Sequence, residues 1–409
     1  MRHARVWTAK QVGRFRQIRE SSVTASGPKV AIVHEWLEHY AGSERVVGEL
    51  LRVFPQADLF AVVDFLPKAE REFLGGRKVT TTFIQKLPFA RRHFRNYLGL
   101  MPLAVEQFDL AGYDLVFSSH HAVAKGIITG PDQIHISYVH SPMRYAWDMQ
   151  ASYLRQSGLE HGLKGFFIRW LLHRIRNWDV RSAAGVDAFV ANSAYIARRI
   201  RKVYRREAEV IHPPVDVHRF MPAQKQADRK QYLVAARQVP YKRVDLVVEA
   251  FRLMPERELL VVGDGPEHEK IAALAAGAPN ITLRGKISDS ELLTLMQQAR
   301  AFVFAAEEDF GITLVEAQAC GTPLITYGRG GALDIVREEG DPDGVSGVLF
   351  REQTAASIAE AVGRFETIRE QVTTENCRGN SLRFSREAFQ GHIESLAARL
   401  LDENGTGAI

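Results

Sequence analysis

A chain of 409 residues with 46% hydrophobic and 25% charged residues has room for two or three globular domains, which excludes a collagen-like or wholly disordered chain. Two cysteines, Cys320 and Cys377, cannot staple this length, so a reducing cytosol is expected, and no apolar run nears the roughly 18 residues of a membrane span. The net charge of +5 is patchy: residues 1–20 carry six basic residues against Glu20, and Tyr153–Glu207 carries twelve against four acidic ones.

Residues 1–27 form a basic leader without the apolar core of a signal peptide. It is expected to be disordered or to contact a membrane. The run Lys29–His34 then predicts a first buried strand. Gly42-Ser-Glu-Arg opens a helix with Val46, Val47, Leu50 and Leu51 on its apolar face. Further strands are predicted at Leu115–Ser118, Ile134–Val139, Ala188–Ala191 and Val210–His212. Helices between them indicate a parallel sheet covered on both faces.

Pro213-Pro-Val-Asp216 and the polar stretch Ala223–Lys230 interrupt the rhythm. A second set of strands follows: Tyr232–Ala236, Leu259–Val262, Ile281–Leu283, Ala301–Phe304, Leu324–Thr326 and Val348–Phe350. The fold class is therefore α/β, with one domain over 28–222 and another over 223–384. Residues 385–409 are expected to form a C-terminal helix and tail that can cross back to the first domain.

In open α/β sheets, ligands bind beyond the carboxyl ends of the strands. Arg237 and Lys242 follow one such end and suit a diphosphate, Arg by a fork and Lys by a point charge; taken alone they read equally well as surface charges. Gly263-Asp-Gly-Pro266 lacks the third glycine of a dinucleotide fingerprint. It predicts a tight turn with Pro266 at the first helical position. After Phe304 come Glu308 on a loop, Gly311 before a helix, and Glu316 one turn inside it. Gly311 permits close backbone approach, and the helix start favours an anion. Glu316 suits vicinal hydroxyls such as those of a ribose, Glu308 those of a sugar. The Gly328–Gly331 loop either offers N–H groups to phosphate or is a flexible connection.

These pieces, in this order, resemble the donor domain of retaining glycosyltransferase family 4, which has the GT-B fold. They are Arg237…Lys242, Gly263–Pro266, Leu283–Ile287, Glu308…Glu316 and Gly321-Thr-Pro323. Ala41–Val46, Asn192-Ser193 and Pro213–Asp216 extend the resemblance over roughly residues 28–400. His34-Glu-Trp36 and Tyr138–Trp147 are most similar to bacterial O-antigen and exopolysaccharide mannosyltransferases. The resemblance implies two Rossmann-like domains facing a cleft. It implies that Arg237 and Lys242 neutralise the donor diphosphate, that Glu316 holds the ribose and that Glu308 contacts the donor sugar. The N–H groups of Phe310, Gly311 and Ile312 lie beside the donor, Ile287 meets the base, Gly42 approaches the diphosphate, and His140 lies by the anomeric carbon. In two places the pattern departs: Ala41-Gly42 replaces a Gly-Gly pair, and Asp334 stands where the family has Glu.

The expected reaction moves a sugar from a nucleotide-sugar to a lipid-linked or polysaccharide acceptor with retention, GDP-mannose being the first choice of donor. No metal is expected, the cations taking its place. Arg144 and Lys125 are acceptor-side candidates, and His120-His121 are weaker ones. Pro88–Leu98 and Lys164–Arg176 mix aromatics with cations; each suits either an anionic membrane or a buried core, and core is favoured for the second. The protein is expected in the cytoplasm, on the inner face of the membrane, with no nucleic-acid partner. A nucleotide-sugar epimerase and a non-catalytic nucleotide-sugar-binding regulator are the rival readings.

Overall fold

β-Branched runs spaced by helices pair here as two wholly parallel sheets. The computed structural model describes residues 27–224 and 229–405, so the predicted leader, save its last residue, lies outside the described residues. In the first sheet are β1 (Val30–Leu37), β2 (Asp58–Asp64), β3 (Val79–Thr81), β4 (Leu115–His120), β5 (Ile134–Val139), β6 (Ala188–Ala191) and β7 (Glu209–Val210), ordered β3-β2-β1-β4-β5-β6-β7. The second holds β8 (Tyr232–Ala235), β9 (Leu259–Val262), β10 (Ile281–Arg284), β11 (Phe302–Phe304), β12 (Leu324–Tyr327) and β13 (Gly347–Phe350), ordered β10-β9-β8-β11-β12-β13. Central strands such as β4, β5 and β8 are buried along their whole length, as parallel strands covered on both faces must be.

Among the helices are α1 (Gly42–Val53), α2 (Gly162–Ser182), α3 (Ala194–Tyr204), α4 (Ile312–Ala319) and α5 (Arg386–Gly405). In each sheet the direction of winding reverses once, between β1 and β4 and between β8 and β11. A crevice opens at such a reversal, beyond the carboxyl ends of the two strands. Val30, Ile32, Leu50 and Phe117 form part of one core face of the first sheet, and Ala31, Val33, Met101 and Val116 part of the other.

Three sequence expectations shift. β2 and β3 were not anticipated. The helix after Gly263–Pro266 begins at His268, so Pro266 lies in the turn before it and not at its first position. Val215, Val217 and Phe220 already pack in the core of the second sheet, so the crossing precedes residue 215 and not residue 222. The crossing back by the C-terminal helix is present. Phe389, Ile393, Leu396 and Ala397 of α5 are buried with Val30 and Leu50 of the first lobe, and Gln390 Nε2 donates to Glu49 Oε2 at 2.6 Å.

Candidate functional site

On the second lobe the site is built at the ends of β8 and β11. Gly263 has φ +118°, and a Cβ there would stand 2.0 Å from the Ala236 carbonyl oxygen. The Gly263–Pro266 turn thus lies directly against the segment that carries Arg237. Gln238 N–H donates to the Asp264 carbonyl at 2.9 Å and Glu267 N–H to the Gln238 carbonyl at 3.0 Å, bracing that segment. Arg237 is exposed, and its guanidinium makes no hydrogen bond or ion pair among the described residues. Lys242 is half-buried, lies 5.2 Å from the Phe304 ring centroid and pairs with the Glu308 carboxylate. Burial, assisted by the positive charge of Arg144, lowers its pKa to about 8.

Beyond β11 the loop is held by a glycine brace. A Cβ on Gly330 (φ +68°) would lie 2.1 Å from the Glu308 carbonyl oxygen, and Gly331 N–H donates to that oxygen at 2.9 Å. The Gly328–Gly331 loop is therefore neither a flexible link nor, through Gly331, a phosphate donor. Phe310 is buried, stacked on His212 with centroids 5.3 Å apart. Gly311, φ +102°, precedes α4. Neither its N–H nor that of Phe310 has an acceptor among the described residues. Both are open donors at a helix start, where the first turn leaves N–H groups unpaired and can take an anion. Ile287 follows β10 and packs, half-buried, against the second core together with Ile312.

The first lobe presents the start of α1 to this surface. A Cβ on Gly42 would come 3.1 Å from Ile312 Cδ1, so the lobes approach closely here. Arg45 Nη1 donates to Glu316 Oε1 across the cleft at 2.8 Å. Arg45 was not singled out from the sequence, though it lies within the quoted segment Ala41–Val46. His140 follows β5 and its Nε2 lies 2.8 Å from Ser119 Oγ at the end of β4. Burial, with His121 and His34 nearby, holds its pKa well below the usual imidazole range. Glu35, fully buried at the end of β1, accepts backbone N–H bonds from His121, Ala122, Val123 and Ala124 at 2.7–3.0 Å and so fixes the β4 exit loop.

Two predicted residues are engaged otherwise. Lys125 is wholly buried: its Nζ lies 2.8 Å from Asp179 Oδ1, and Tyr204 hydroxyl and Trp147 Nε1 donate to the same carboxylate. It anchors α2 to the β4 exit loop, and the acceptor assignment is withdrawn because no solute reaches it. Arg144 pairs across the cleft with Asp309, which also lies 3.5 Å from Arg199. Asp334, the departure from the family pattern, accepts the Ala194 N–H at 2.6 Å. A carboxylate of one lobe thus caps a helix of the other. His120 is fully buried beside Glu35 at 3.3 Å, a structural partner.

Residues 40–219 match the family model described as Glycosyltransferase Family 4, and residues 219–379 that described as Glycosyl transferases group 1. The D-inositol 3-phosphate glycosyltransferase of Geodermatophilus obscurus is 32% identical over 244 residues, 53% of this chain and 52% of that protein. Its namesake in Nocardia farcinica is 30% identical over 259 residues, 55% of each chain. The chain thus spans about half the length of the curated relatives it matches. Among solved structures, Anabaena HepE in complex with UDP superposes with a TM-score of 0.64 at 17% identity, covering 90% of this chain and 100% of that one. Sucrose-phosphate synthase from Thermosynechococcus elongatus gives 0.68 at 18% identity, covering 92% and 100%. Residues 40–379 are thus matched by two glycosyltransferase family models in succession, and the fold is GT-B.

Proposed function

We propose that this chain, with its two glycosyltransferase domains facing one another, is a retaining transferase that moves mannose from GDP-mannose to a lipid-linked or polysaccharide acceptor. The observation that carries the reading is the meeting of the two crevices. Lys242, Glu308, Glu316 and the free N–H groups of Phe310 and Gly311 line one lip; Gly42 and Arg45 line the other, in the lobe that carries His140.

Breaking a sugar–diphosphate bond places negative charge on the departing phosphate. Arg237 and Lys242 are the proposed counter-charges, in place of a metal ion. The Phe310 and Gly311 N–H groups add fixed dipoles. Each such donor contributes about 2–4 kcal/mol to stabilising the developing charge. Glu316 is proposed to bind the ribose hydroxyls, exchanging Arg45 for them as the donor enters. Glu308, already beside Lys242, is placed to orient the sugar, and attack comes from the face the phosphate leaves. His140 offers a ring nitrogen to a hydroxyl of the donor or acceptor. Mannose and guanine rest on the resemblance of His34–Trp36 and Tyr138–Trp147; HepE, a relative in fold, was solved with UDP.

The acceptor reading draws support from one surface. Leu163, Phe166, Phe167 and Trp170 of α2 are each more than half exposed, beside Lys164, Arg169 and Arg174. Leu172 and Ile175 form the buried side, so the core reading favoured for this segment holds only for its later turns. A Cβ at Gly99 would come 3.1 Å from Leu171, which brings exposed Leu100 and Leu103 to the same face. A cationic, apolar face of this kind suits an anionic lipid surface. No helix among the described residues is long and apolar enough to cross a membrane.

Thermal-shift titration with GDP-mannose, UDP-glucose and ADP-glucose tests the donor. A ligand at a hundred times its Kd stabilises the fold by about 2.7 kcal/mol. The largest shift is expected with GDP-mannose, falling in Glu316→Ala. No shift with any of the three overturns the reading.

A further inference from the structure

His34, Ser119 and His140 form a hydrogen-bonded line that ends on a carboxylate. In the register of β1 against β4, His34 lies opposite Ser119, which puts both side chains on one face of the sheet. His34 Nδ1 is 3.0 Å from Ser119 Oγ, and Ser119 Oγ is 2.8 Å from His140 Nε2. At the far end, His34 Nε2 is 3.4 Å from Glu44 Oε1. Glu44 is fixed in turn: its Oε2 accepts the Ala41 N–H at 3.1 Å and the Ser43 hydroxyl at 2.9 Å. His34 and Ser119 are fully buried, and Glu44 nearly so.

The direction of each bond follows from its neighbour. An ionised carboxylate only accepts, so Glu44 takes a proton-bearing Nε2 from His34. A neutral His34 then has an acceptor at Nδ1, which the Ser119 hydroxyl fills as donor. Ser119 Oγ is left to accept, and only a protonated Nε2 of His140 can supply it. His140 Nδ1 is then a bare lone pair, and nothing among the described residues donates to it. We propose that Glu44, His34 and Ser119 are positioning residues that set His140 as its Nε2–H tautomer, so that Nδ1 stands as a hydrogen-bond acceptor for a sugar hydroxyl. This rests on the transferase reading only in naming the hydroxyl; the tautomer itself is a property of the free protein.

Two measurements separate these parts. The first is the 15N spectrum of histidine-labelled protein at pH 7, with His140 assigned by its loss in His140→Gln. An Nε2–H, Nδ1-bare pattern is expected. It should give way to a tautomer mixture in Ser119→Ala and return in Ser119→Thr. The opposite tautomer in the unaltered protein, or an unchanged signal in Ser119→Ala, overturns the proposal whether or not transfer is seen. The second is steady-state transfer from GDP-mannose. Ser119→Ala and Glu44→Gln should each lower kcat about tenfold with donor KM within twofold. Ser119→Thr should restore kcat. The titratable groups facing His140 are His34, Glu44, His120, His121 and Tyr138, whose ring centroid is 5.2 Å from that of His140. Loss of the Ser119 link should move the acid limb of the kcat profile by at least half a pH unit. An altered donor KM with unchanged kcat overturns the proposal in favour of a purely structural role. Absence of transfer in the unaltered protein counts against the transferase reading alone, since the spectrum still decides the tautomer.

Discussion

Lys242 shows how one side chain ties burial to pH. Its ammonium loses hydration where Phe304 and Tyr241 enclose it, and Arg144 adds a like charge. These lower its pKa to about 8, against the pull of the Glu308 carboxylate beside it. A diphosphate requires the charged form, so binding should weaken as pH rises from 8 to 9.5, by up to tenfold per unit. Isothermal titration with GDP checks this, and Lys242→Arg should flatten the slope because guanidinium stays charged. A flat profile in the unaltered protein removes Lys242 from the anion site. Lys125 gives the opposite lesson. Its charge is sealed in with Asp179, so Lys125→Ala leaves an unpaired buried carboxylate and should cost about 3–5 kcal/mol. Urea unfolding measures that loss, and a stability change under 1 kcal/mol would contradict the buried pair.

At the level of elements, α5 has an importance out of proportion to its distance from the reacting groups. Ile393 is fully buried between Phe389 and the first-lobe core. Ile393→Ala should cost about 2–5 kcal/mol, read as a fall in urea midpoint. An unchanged midpoint would mean α5 adds nothing to the first lobe. The C-terminal helix was legible because its capping and apolar positions stand in one continuous segment. β2 was not: Leu59–Val63 is an unbroken apolar run, and periodicity cannot separate a buried strand from a buried helix turn. Arg237, Lys242, Glu308 and Glu316 were readable because short spacings place them at the ends of neighbouring strands. The line through His34, Ser119 and His140 was not, since its members meet only through strand register across 85 residues. Lys125 misled because a lysine after a strand reads as solvent-facing until its partner, far along the chain, is known.

Across the whole molecule, polar contacts between the lobes include Arg45 with Glu316, Arg144 with Asp309, Ser193 with the Asp309 carbonyl, and the Ala194 N–H with Asp334. One of them, Arg45 with Glu316, occupies the carboxylate proposed for the donor ribose, so donor entry and lobe separation are linked in the proposed reaction. The basic, apolar face beside α2 belongs wholly to the first lobe, which leaves the second free to move when the first is docked. Vesicles with anionic headgroups should retain the protein and release it as salt screens the attraction. Phe166→Ser with Phe167→Ser should weaken this several-fold in a sedimentation assay; equal retention on neutral vesicles would argue against it.

The chain passes between lobes twice, and the two passages lie side by side. Val215 bridges Ser385 in parallel and donates to the Phe384 carbonyl at 2.8 Å, with Arg386 reaching Asp216 at 2.9 Å. The second lobe is thus a cassette spliced into the first at a single spot. Recombination at 214 and 385 would exchange the second lobe whole and divide none of the described cores, and on the proposed assignment donor preference should travel with it.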